Sequence, residues 1–101
     1  MEPMSLRFAA AVRTLSGEAR RLGLRVPGFR SPPRLSGVDR TLRRRADGGA
    51  TIAVVVRGRP FAAVLADMID GIVVANDLTN ADADRARAGL WVVAAASEQA
   101  A

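Results

Sequence analysis

The chain has no cysteine, no histidine, no tyrosine and no lysine. Without cysteine there is no disulfide, no thiolate nucleophile and no cysteine metal site. Without histidine the commonest transition-metal ligand and general base is missing. Only Ser, Thr and carboxylates remain as reactive groups, and none sits beside a plausible base, so neither an enzyme nor a cofactor is expected. Aromatics are scarce: Phe8, Phe29, Phe61 and Trp91 are all there are, against twenty alanines. Small side chains bury little area each, so the core should be of modest stability or helped by a dimer partner. Long apolar runs are also missing. The longest, Phe61–Ala75, carries Asp67 and Asp70 and falls short of the ~20 residues that span a bilayer. Arg7 and Arg13 interrupt the run around Phe8–Val12, which is not the layout of a signal peptide. No membrane association and a cytoplasmic location are the expectation.

What is present fits one small domain over residues 1–101. Half the residues are hydrophobic and a quarter are charged, an ordinary globular composition. The fifteen basic residues are all arginine, and their placement is lopsided. Residues 1–59 hold thirteen of them against Glu2, Glu18, Asp39 and Asp47, a net charge of +9. Residues 60–101 hold Arg85 and Arg87 against five Asp and Glu98, a net of −4. Such segregation predicts a basic and an acidic face, unless the halves neutralise each other.

The apolar spacing predicts an α+β fold. Phe8, Val12, Leu15, Ala19 and Leu22 recur at four and three, an amphipathic helix over 5–23 with Ser5 as N-cap and Gly23 at C′. Residues 24–38 read as a Pro-rich extended loop, with Val26-Pro27-Gly28-Phe29 as a turn and Ser31-Pro32-Pro33-Arg34 as polyproline II. Residues 40–57 read as a β-hairpin turning at Asp47-Gly48, its first strand rich in arginine and its second β-branched and central. A buried helix is expected over 60–76 from Phe61, Val64, Leu65, Met68, Ile69 and Ile72, the competing reading being a strand at Phe61–Leu65. A last helix is expected over 80–97, with Ala83, Ala86, Leu90, Val93 and Ala94 as a thin stripe. Both C-terminal helices should pack on the hairpin.

The candidate site is an arginine ribbon: Arg40, Arg43, Arg44, Arg45, Arg57 and Arg59, with Arg30 and Arg34 just upstream. Guanidinium groups carry permanent charge and a planar fork of donors that suits phosphate oxygens. A two-stranded ribbon is narrow enough for a DNA major groove. Nucleic-acid binding by a small regulator or accessory factor is the leading expectation, through these eight arginines. The alternative is a module that docks its basic half on an acidic protein partner, and homodimerisation through the last helix or the hairpin edge is a third. The bland reading is a solvated edge strand that charge keeps from aggregating, or one paired with Asp67, Asp70 or Asp77. Asp67 with Asp70 reads as a polar stripe or an internal partner for arginine, and Trp91 as a core anchor.

The stretch Ile52-Ala53-Val54-Val55-Val56-Arg57-Gly58-Arg59-Pro60-Phe61-Ala62-Ala63-Val64-Leu65 resembles the strand–turn–strand signature of Phd/YefM-type antitoxins. The resemblance implies a second apolar strand after the Gly-x-Pro turn, and a DNA-binding regulator that also neutralises a toxin. It covers about one-seventh of the chain. That family opens with this region near its N-terminus, whereas a helix and a Pro-rich segment precede it here.

Overall fold

A computed structural model describes residues 4–31, 43–44, 49–56 and 58–100. Helix α1 spans Met4–Arg21. Its stripe buries Ala11, Leu15 and Ala19, with Phe8 and Val12 half-buried beside them. Ser5 therefore lies inside the first turn and is not the N-cap. The helix stops where the sequence changes its backbone requirement. Gly23 adopts φ +77°, Gly23 N–H donates to Arg20 C=O at 3.0 Å, and Leu24 N–H donates to Ala19 C=O at 2.8 Å. This reciprocal pair is the Schellman closure, whose left-handed C′ residue carries no Cβ penalty when it is glycine. Arg20 and Arg21 stand in the last turn, where cations complement the partial negative charge of the helix end. Leu22, expected on the buried stripe, lies past the last helical turn and is exposed; Leu24 takes the apolar position instead.

Among the described residues three short strands follow: β1 Gly28–Arg30, β2 Arg43–Arg44 and β3 Ala50–Ala53. The fold is α+β, with β3 in the middle of the order β1-β3-β2. The hairpin expectation holds only in part. The longer pairing of β3 is parallel, to β1, matching Gly28 with Thr51, Phe29 with Ile52 and Arg30 with Ala53. Antiparallel pairing to β2 covers only Arg43 with Thr51 and Arg44 with Ala50, and the Asp47-Gly48 turn lies outside the described residues. The turn assigned to Val26–Phe29 is likewise replaced by the strand β1. Alternation explains it: Phe29, flanked by exposed Gly28 and Arg30, points into the core alongside Ile52, as period-2 geometry requires. Ala50, Ile52 and Val54 are buried while Thr51 and Ala53 are half-exposed, so one sheet face is covered. Val54 N–H extends the ladder by donating to Arg30 C=O at 2.8 Å. The Pro-Pro step lies outside the described residues.

Helix α2 spans Phe61–Ala75 and helix α3 spans Asn80–Ala100. The segment after Pro60 is thus helical, and the second strand implied by the antitoxin resemblance is absent. Val64, Leu65, Met68, Ile69 and Ile72 sit at helical spacing and are buried, which a period-2 strand could not achieve for all five. A Cβ placed on Gly71 would lie 2.4 Å from Ile52 Cδ1, so α2 approaches β3 only because that position is glycine. Helix α2 ends as α1 does, with Leu78 N–H on Val73 C=O at 3.2 Å and Asp77 N–H on Val74 C=O at 3.1 Å. Here Asp77 holds the left-handed position, at φ +55°. The residues that follow the two left-handed positions, Leu24 and Leu78, both pack on Val73, Ala83 and Ala86. Asn76 fixes this junction. Its side chain accepts from Arg25 N–H at 2.7 Å and donates to the carbonyls of Arg25 at 2.9 Å and Ile72 at 2.8 Å. The start of the segment leading to β1 is thereby clamped to the end of α2.

Candidate nucleic-acid interface

Some of the arginines are tied into the fold, and Arg59 is one of them. It follows the turn closed by Arg59 N–H on Val56 C=O, with Gly58 at φ +74°. Its Nη1 donates to Val55 C=O at 3.1 Å and to the Asp67 carboxylate, and its Nη2 donates to Ala63 C=O at 3.4 Å. The Asp67 bond holds the guanidinium even more firmly in its charged form. Arg59 therefore ties the β3–α2 turn to α2, and its place in the expected ribbon is withdrawn. Arg7 lies 4.0 Å from the centre of the Phe61 ring, a cation–π contact that links the starts of α1 and α2.

The remaining ribbon positions that the structure describes flank β3. Arg30 ends β1, exposed and in register with Ala53. Arg43 and Arg44 form β2 on the other side, opposite Thr51 and Ala50. Strand spacing and rise put the Cα atoms of Arg30 and Arg43 roughly 12 Å apart across the sheet. Arg34, Arg40, Arg45 and Arg57 lie outside the described residues. Two further arginines belong in the inventory. Arg13 and Arg20, seven residues apart on α1, are exposed with exposed Gly17 between them. That spacing is two helical turns, so they share a face about 10.5 Å apart along the axis. The i, i+7 interval is visible in the sequence but is less conspicuous than the denser run at 43–45.

The acidic side chains are largely committed elsewhere. Asp70 accepts from Arg87 Nε at 2.9 Å, joining α2 to α3, and Asp82 pairs with Arg85 one turn away. Asp67 and Asp70 thus each take up an arginine, and among the described residues no group of three or more carboxylates could hold a metal ion. Glu18 pairs with Arg21, whose bonds hold its carboxyl below the usual value. Arg59–Asp67 joins the basic half to the acidic half. No helix among the described residues is long and apolar enough to cross a membrane. No protein-family model matches this chain, and neither a curated protein nor a solved structure does.

Proposed function

We propose that the protein binds nucleic acid through the phosphate backbone, using the arginines on either side of β3. The observation that carries this reading is where the carboxylates go. Asp70 and Asp82 are engaged by Arg87 and Arg85 of their own half, which leaves the surplus charge of residues 1–59 without an internal counterweight of equal size. Arginine positions on both sides of β3 suit phosphates, which position a protein on nucleic acid without reading its sequence. The arginine positions of α1 widen the same basic half. Binding and not catalysis is the activity this arrangement supports.

Fluorescence anisotropy with a labelled duplex at about 50 and 200 mM salt tests it. Affinity should fall steeply with salt, and the combined change Arg30→Ala, Arg43→Ala, Arg44→Ala should flatten the log–log slope by about three. Arg85→Ala, in the acidic half, should leave binding unaltered. A triple variant that binds as wild type does, with the same slope, would overturn the proposal.

A further inference from the structure

Helix α1 carries a glycine for which the described residues give no internal reason. Gly17 stands in mid-helix, where glycine costs about 1 kcal/mol relative to alanine. A Cβ placed there would meet nothing within 4 Å, whereas one on Gly71 would strike Ile52. Nor is its φ positive, as those of Gly23 and Gly58 are. Neither packing nor backbone conformation therefore calls for glycine. What a missing side chain does on an exposed helix face is let another molecule approach the backbone closely.

The neighbours on that face indicate what approaches. Arg13 lies four residues before Gly17 and Arg20 three after, so the three share one side of the helix. All three are exposed. Among the described residues neither arginine is joined to a carboxylate. Glu18, the one acid of α1, lies toward the buried side, with its side chain 11% exposed and held by Arg21. The face is cationic, with a gap between its cations. It offers little to anchor a protein, whose interfaces centre on large buried side chains. Leu6, a large apolar side chain exposed on α1, lies about three turns before Gly17. A lipid surface would need the apolar face of the helix, and that face is buried through Ala11, Leu15 and Ala19. Backbone phosphates need only donors, and arginine forks supply them.

We propose that this face of α1 docks on the phosphodiester backbone of a nucleic-acid duplex. Arg13 and Arg20 each take a phosphate, and Gly17 lets the strand close onto the helix between them. The class of occupant rests on the nucleic-acid reading, but none of the arginines flanking β3 takes part.

Anisotropy titration of the full chain with a labelled mixed-sequence duplex, at about 50 and 200 mM salt, tests this. Arg13→Ala with Arg20→Ala should weaken binding at least about tenfold at the lower salt and flatten the log–log slope by about two. Gly17→Leu leaves every charge in place. It should raise the unfolding midpoint, since leucine is the better helix former, yet weaken duplex binding at least about fivefold by filling the gap. A purely structural role for Gly17 would not make a stabilised variant bind less well. Far-UV circular dichroism should show all variants folded. Wild-type binding by either the double variant or Gly17→Leu would overturn the inference. The sheet reading would still stand in that case if Arg30→Ala, Arg43→Ala, Arg44→Ala flattened the slope. Loss of binding in the α1 variants with an unaffected sheet triple would support the α1 face and sink the sheet reading. A chain that ignores duplex but binds polyglutamate through Arg13 and Arg20 would overturn both, in favour of an acidic protein partner.

Discussion

Residues 4–31 and residues 58–100 meet their charges in opposite ways. In the second region Asp67, Asp70 and Asp82 each have an arginine, and two of these pairs join separate parts of the fold. In the first, Arg13, Arg20 and Arg25 are exposed, and Arg21 with Glu18 forms the ion pair among the described residues confined to that region. Packing differs in the same sense. Seven residues of α2 are buried, whereas α1 buries a narrower stripe. Where a helix is surrounded, its polar groups are recruited into the structure. Where it is covered on one side, as α1 is, arginines such as Arg13 and Arg20 lie on the exposed face.

Glycine gives the largest test of that contrast. Gly71→Ala should destabilise the protein by about 1–3 kcal/mol, since the new methyl group must displace Ile52 from a packed core. Gly17→Ala meets open space on α1 and should stabilise it by about 1 kcal/mol through helix propensity alone. Thermal or urea unfolding reads both, and equal signs would break the comparison. A smaller effect should separate the ion pairs. Arg59→Ala removes one charge-assisted bond and two bonds to backbone carbonyls from a partly exposed site, and should cost about 1 kcal/mol after solvent screening. Arg85→Ala, at a well-exposed pair, should leave the unfolding midpoint of the monomer unchanged. Smallest is the acid response of Glu18. Its folded carboxyl titrates below the ordinary value of 4.5 because Arg21 bonds to it. Its contribution is therefore present above that value and fades as pH falls through the lower folded one. Glu18→Gln should remove that part of the slope below pH 4.5 on a plot of unfolding midpoint against pH, and lower the neutral-pH midpoint by the same small amount.

Periodicity made the helices legible. The i, i+3, i+4 spacing from Phe61 to Ile72 admits a helix and excludes a half-buried strand, and it outweighed the local likeness to a strand–turn–strand unit. The glycine at the end of α1 was legible too, since a left-handed residue after an apolar stripe favours it. The sheet was harder to read. A three-residue strand such as β1 has room for one buried side chain, so Phe29 offers no repeat to recognise, and its partner lies more than twenty residues away. The site was partly legible: the run at 43–45 is conspicuous, but nothing local separates Arg59, which is bound to Asp67, from arginines that are not.

By itself the sequence determined the α+β class, the helical stripes, the end of α1 and the unequal distribution of charge. These follow from backbone preferences and from side-chain periods that act within a few residues. Only the tertiary structure decided that β3 pairs in parallel with β1, that Gly71 receives Ile52, that Asn76 clamps Arg25, and which carboxylate each arginine finds. Those outcomes depend on groups far apart in the chain being brought within a few ångströms, where sterics and hydrogen bonding act and local preference does not.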